Sequence, residues 1–317
     1  MPSFSEPQRR LPCDAYKVAL VCILDVEHDA TRMMLDEEHE APPTPGAKHV
    51  YTVGRIGNYN VVIAKSIVAG IAPAAHLVTD MLQVFQKIRF GLLVGIGGGA
   101  TNAPGPRGPT DILLGDVVVS KPEGNYGGIL FYHKVPGGFV NDGYHNNPGP
   151  LLASSSAWLA QSHSNGRGNM AQYIREAQSK FRALDMSYFD FPGREHDRLF
   201  SSRYDHPKAS GEDCRHCDKR QLVKRAPRLT HDPVVHYGLV ASSDILMRDA
   251  HVRDTMRRDH GVLCFEMEAA GVSRSFSCLA IRGISDYADN HKNDRWQPYA
   301  ALTAAVYAKD LVALIQP

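Results

Sequence analysis

VLCFEMEAAGVSRSFSCLAIRGISDYAD, residues 262–289, decides the fold. Val262–Phe265 and Leu279–Ile284 are apolar runs of strand length, and each stops abruptly on carboxylates. Ala269–Ser277 between them is small and compatible with a helix. The pattern predicts strand–helix–strand, with the acids at the strand ends. Ligands of open α/β sheets bind beyond the carboxyl ends of strands, so Glu266, Glu268 and Asp286 are expected in one crevice. Carboxylates held beside apolar strands are costly, which makes three of them together a candidate site.

Outward from this stretch, Tyr16–Leu24 is a buried strand by its apolar continuity, ending on Asp25, Glu27 and Asp29. A helix is expected from Ala30, so these acids could serve its dipole. Val50–Arg55 and Asn60–Ala64 predict a hairpin about Gly57-Asn58. Pro73–Arg89 has helical spacing, and Phe90–Ala100 (FGLLVGIGGGA) is a strand running into glycines. Glycines there let backbone N–H groups approach an anion or a sugar hydroxyl. The run fits neither the dinucleotide fingerprint nor a P-loop. Val234–Ala241 predicts another strand, Asp244–Arg257 an exposed helix, and Trp296–Ile315 an alanine-rich helix against the sheet.

FEMEAAG (265–271) and ISDYAD (284–289), with the glycine run before them, resemble the purine and uridine phosphorylases together with the methylthioadenosine/S-adenosylhomocysteine nucleosidases. The longer string IRGISDYADNHKNDRWQPYA is similar to the branch found as the N-terminal domain of many fungal NACHT-type immune receptors. The likeness spans about Lys17 to Ile315. It implies a three-layer α/β/α sandwich around a central mixed, mostly parallel sheet. It also implies hydrolysis of the N-glycosidic bond of a purine nucleoside or nucleotide, adenosine- or ATP-like, without a cofactor.

The resemblance assigns roles residue by residue. Asp286 would protonate the departing base, Glu268 would accept the ribose hydroxyls, and Met267 would pad the sugar. Glu266 would touch substrate or brace the neighbouring backbone. Gly97 and Ser285 fall on the glycine-rich turn and the second motif, and Ile245 and Leu246 on the base pocket. The water-aligning carboxylate falls on Asp29, with Glu27 behind it. Leu93 stands where the phosphorylases carry a phosphate-gripping arginine, which favours water as nucleophile unless Arg55 or Arg107 substitutes. The alternatives are a phosphate-dependent phosphorylase, or a nucleoside-sensing domain without turnover.

Composition is that of an ordinary globular chain: 317 residues, 43% hydrophobic, 22% charged, net charge +1. No broad pull on nucleic acid or membrane follows from that charge. Residues 1–15 read as a flexible lead-in and 16–317 as one domain, with an irregular surface insertion over about 141–230. Within the insertion, Cys214-x-x-Cys217 with His206 and His216 has ligand spacing, but no second pair follows and no metal is expected. The other cysteines lie in or beside apolar runs, as free thiols in a reducing cytoplasm would. A homodimer or higher homo-oligomer is expected, and the resemblance to receptor domains implies a place in a larger receptor.

Overall fold

The computed structural model describes residues 9–101, 111–122, 127–135, 138–145, 148–207 and 214–316. Its fold is mixed α/β, built on a mixed sheet. The organising strand is β5 (Phe90–Gly99), flanked in parallel by β1 (Val18–Cys22) and β11 (Cys278–Asp286). The other strands are β2 (Glu37–His39), β3 (Tyr51–Ile56), β4 (Tyr59–Lys65), β6 (Val117–Ser120), β7 (Ile129–Val135), β8 (Gly138–His145), β9 (Val235–Ser242) and β10 (Val262–Glu266). The order is β2-β3-β4-β1-β5-β11-β6-β9-β7-β8, with β10 joining β5 and β9 off that path. Parallel and antiparallel pairings occur in nearly equal share rather than mostly parallel, because β2–β3, β10–β5 and β11–β6 are antiparallel as well as the β3–β4 and β7–β8 hairpins.

The strand–helix–strand expectation holds locally: α6 (Ala269–Ser275) joins β10 to β11. Those strands do not pair with each other but meet at the end of β5. Phe265 and Asp286 are both register partners of Gly98, one on each side of it.

The remaining helices are α1 (Asp25–Met33), α2 (Ile71–Val84), α3 (Gly149–Ser164), α4 (Met170–Ala183), α5 (Ala250–His260) and α7 (Gln297–Leu314). The last is buried on all sides from Tyr299 to Val312, as a helix apolar round its circumference must be. It runs so close to β11 that a Cβ at Gly283 would collide with the Ala300 carbonyl. Its charged residues are satisfied locally: Lys309 Nζ donates to Met34 O at 2.9 Å and to Asp36 Oδ1 at 2.6 Å.

Three expectations change. Of the lead-in, residues 9–15 lie on the body: Glu40 N donates to Arg9 O at 3.0 Å, and Leu11 packs on the core. The insertion expected to be irregular from about 141 holds two helices, α3 and α4, parted by Asn165-Gly166-Arg167-Gly168. Both pack on α7, and among the described residues of the insertion the irregular ones are 184–207 and 214–230. That irregular part is also wired in. Arg225 donates to Asp197 at 2.7 Å and to Tyr287 Oη at 2.6 Å. Arg228 reaches Asp116, which also accepts from Leu113 N and contacts His236, so Asp116 ties this segment to the sheet. Among the described residues no helix is long and apolar enough to cross a membrane.

Candidate active site

Where β1, β5, β10 and β11 end, a cavity of about 200 Å³ opens. Glu27, Glu266, Glu268, Arg282, Asp286 and Lys292 supply its charged lining. Gly97, Met267, Ser285 and Leu246 line it as well.

Helix α1 begins at Asp25, one turn earlier than its apolar spacing suggests. This decides between the two candidate carboxylates. Residues two apart on a helix point about 200° apart, so Glu27 and Asp29 occupy opposite sides. Glu27 turns inward and is buried; its Oε2 accepts from Ile23 N at 2.8 Å and Leu24 N at 3.0 Å. Its Oε1 accepts from Ile96 N at 2.8 Å, lashing α1 to β5. Asp29 turns outward, with its side chain 41% exposed and 3.5 Å from His28. The structure thus moves the position expected of Asp29 to Glu27.

Arg282 lies within β11 and is 1% exposed, which demands compensation. It donates to Glu266 Oε2, to Glu268 Oε2 at 3.2 Å and to Ile96 O at 3.4 Å. Burial opposes its charge, but Glu266, Glu268 and Glu27 more than reverse that and hold its pKa above the ordinary arginine value. Its Nε is a buried donor without a partner among the described residues. Arg282 and Glu27 come together over Gly95, where a Cβ would collide with both.

Glu266 braces the backbone, accepting from Glu268 N at 3.1 Å and Ala269 N at 2.9 Å. Glu268 accepts from Gly70 N at 3.2 Å and Met267 N at 3.3 Å, which holds it at the pocket wall. Burial pushes its pKa up to about 7; Arg282 opposes the shift, while Glu266 and Glu27 add to it.

Asp286 is buried but not isolated. Three donors converge on its oxygens: Ala288 N at 2.9 Å, Ser285 Oγ at 3.0 Å and Lys292 Nζ at 2.5 Å. Lys292 had no signal in the sequence, since it sits in a polar turn that reads as solvent-facing.

Of the two residues expected at the base pocket, Leu246 lines the cavity with Met247 and Phe265, whereas Ile245 lies in a neighbouring cleft. Phe265, inside the first motif, is the aromatic residue lining this cavity among the described residues. Leu93 is wholly buried in β5 and away from the cavity. Arg55 is engaged by Glu37 and Gly57 O, and Arg107 lies outside the described residues.

A strand-end cavity lined by buried carboxylates, a buried arginine and a lysine–aspartate pair defines a small-molecule site on an α/β sheet. No protein-family model matches the chain. A nucleotide-binding leucine-rich repeat (NLR)-like protein of Hyaloscypha variabilis is 38% identical over 312 residues, covering 96% of this chain and 30% of that protein. The ATP nucleosidase Cap17 of Escherichia coli is 34% identical over 83 residues, 24% of this chain and 16% of that protein. The chain therefore spans less than a third of either relative. Among solved structures, the 5'-methylthioadenosine/S-adenosylhomocysteine nucleosidase of Neisseria meningitidis superposes with a TM-score of 0.57 at 15% identity, covering 94% of this chain and 98% of that one. Futalosine hydrolase of Helicobacter pylori superposes with a TM-score of 0.54 at 15% identity, covering 94% and 97%.

The chain is a homologue of the NLR-like protein and of Cap17. Its fold is that of these two nucleosidases.

Proposed function

We infer that the chain hydrolyses the N-glycosidic bond of a purine nucleoside or nucleotide, releasing free base and sugar. The observation that carries this reading is the convergence of Glu27, Glu268 and the Asp286–Lys292 pair on one cavity. The expected three-layer arrangement, with helices on both sides of the sheet, is part of the same reading.

Breaking the C1′–N bond places positive charge on the ribose and negative charge on the base. Asp286 and Lys292 stand together at one wall, where the pair can deliver a proton to a ring nitrogen of the departing base. Glu268, in its ionised form, accepts from the ribose hydroxyls and stabilises the positive sugar. Glu27 aligns water; as the water oxygen bonds to C1′, its proton passes to Glu27 and on to solvent. Met267 and Phe265 offer apolar contact to sugar and base.

Water is favoured over phosphate by the cations. Arg282 and Lys292 are the cations lining the cavity among the described residues, and carboxylates already engage both. A phosphate dianion brought beside Glu27, Glu266 and Glu268 without a free cation would meet prohibitive desolvation and repulsion.

The test is base release from adenosine, ATP, inosine and guanosine in phosphate-free buffer, followed by a phosphate titration with analysis of the sugar product. Free sugar without added phosphate is expected. Release that needs phosphate and yields a sugar 1-phosphate would establish the phosphorylase instead, and no release at all would leave a binding module. A homo-oligomer belongs to the same proposal, supported by exposed Leu24 and Leu246 at the cavity and exposed Ile67, Val68 and Ile245 beside it in sequence. Sedimentation showing only monomer at micromolar concentration would exclude it.

A further inference from the structure

His206, Cys214, Cys217 and His291 place one ligand atom each within 4.8 Å of one another. Three come from the irregular segment and the fourth from the turn after β11. His216, which the local spacing favoured, is exposed and takes no part.

The geometry matches a tetrahedral metal. Ligands at about 2.3 Å for sulfur and about 2.0–2.1 Å for nitrogen stand about 3.6 Å apart around one ion. His291 Nδ1 lies 3.6 Å from Cys214 Sγ and 3.7 Å from Cys217 Sγ. The other ring nitrogen of His291, Nε2, lies 2.9 Å from Tyr204 O. A backbone carbonyl on the far nitrogen is what fixes the tautomer of a metal-bound histidine. Phe200 stacks on the His291 ring at 4.1 Å and completes its orientation. His206 Nε2 is buried with no partner among the described residues, and such an orphan needs an occupant.

We propose that these four residues bind a structural zinc ion that fixes the turn carrying Lys292. Two thiolates and two imidazoles form the tetrahedral S₂N₂ set that selects zinc among common divalent metals. Binding releases two thiol protons to solvent, and the resulting centre is neutral. All four coordination positions are filled by protein, so the ion holds structure and offers no open place to substrate. Its effect is positional. His291 precedes Lys292, whose ammonium meets Asp286, and Asp289 Oδ1 accepts from His291 N at 2.9 Å. The segment around Cys214 is thereby tied to the wall of the cavity. This consequence rests on the functional reading above; the metal site itself does not.

The test is elemental analysis of the purified full chain, expected to carry roughly one zinc per chain, with cobalt substitution giving the intense visible bands of a tetrahedral thiolate site. Cys217→Ser and His291→Ala should each abolish stoichiometric zinc, whereas His216→Ala should retain it. Should those variants misfold, the cobalt spectrum and thiol titration of the parent protein still decide the matter. Chelation should speed hydrogen exchange across 287–295 whether or not the chain has enzymatic activity. Metal-free parent protein, zinc retained in folded Cys217→Ser, or a Cys214–Cys217 disulfide seen as two reductant-restored thiols would each overturn the proposal.

Discussion

Lys292 Nζ lies 2.5 Å from Asp286 Oδ2, so the candidate proton donor at the base is a pair rather than a lone acid. Asp286→Asn keeps the shape and removes the titrating group. Base release should fall by about 10²–10⁴-fold, the worth of a positioned acid. Lys292→Met should fall in the same direction, and more for substrates whose base leaves poorly. Single-turnover rates on a series of purines check this; equal rates for parent and Lys292→Met would remove the lysine from the mechanism.

Glu27 and Asp29 separate the two possible water-aligning carboxylates cleanly. Glu27→Gln should lower kcat by at least about tenfold, a general-base role being worth roughly 10²–10⁴. Asp29→Asn should stay near the parent rate, because its side chain faces solvent. The reverse pattern would restore Asp29 and mean that α1 is rotated when the proposed reaction runs.

Glu268 gives a pH dependence with a definite sign. In the proposed reaction its ionised form accepts the ribose hydroxyls, so kcat/KM should fall as pH drops through about 7. Glu268→Gln should abolish that acid limb while lowering the plateau. Stability runs the other way. A carboxyl raised from 4.5 to about 7 holds its proton more tightly when folded. Its contribution is full below 4.5 and is lost as pH rises toward 7. At pH 8, therefore, Glu268→Gln should melt above the parent protein, which calorimetry would show.

Arg282 should matter for folding as much as for the site. Arg282→Met leaves Glu27, Glu266 and Glu268 buried without their cation, and breaking such a cluster costs about 3–5 kcal/mol. Denaturant melts measure this directly. In protein that still folds, the acid limb assigned to Glu268 should move to higher pH, because the guanidinium that opposes its upward shift is gone. An unchanged midpoint would mean the cluster contributes nothing net.

What the sequence revealed follows from locality. Glu268 and Asp286 were legible because apolar strands end on them, and a strand end is visible within six or seven residues. Gly57-Asn58 announced its hairpin for the same reason. Arg282 was not legible: inside LAIRGI it reads as an interruption, and its three acidic partners come from two other strand ends. The choice between Glu27 and Asp29 turned on where α1 starts, which Leu24 does not signal with a capping side chain. The His291 cluster was hidden by distance, since His291 and Cys214 are 77 residues apart. Spacing rules reached His216, the near histidine, and passed over the one the fold brings in.

Strand β5 pairs with β1 on one edge and β11 on the other, and its glycine-rich end forms the floor of the cavity. That floor cannot loosen while the sheet stays whole. Whatever occupies the cavity should therefore be felt as resistance of the entire domain to melting, growing with the logarithm of its concentration above Kd. The protein is in this sense its own reporter. A panel of nucleosides and nucleotides could be ranked by transition temperature alone, before any product is sought, and the ranking would hold even for a compound that is bound and never cleaved.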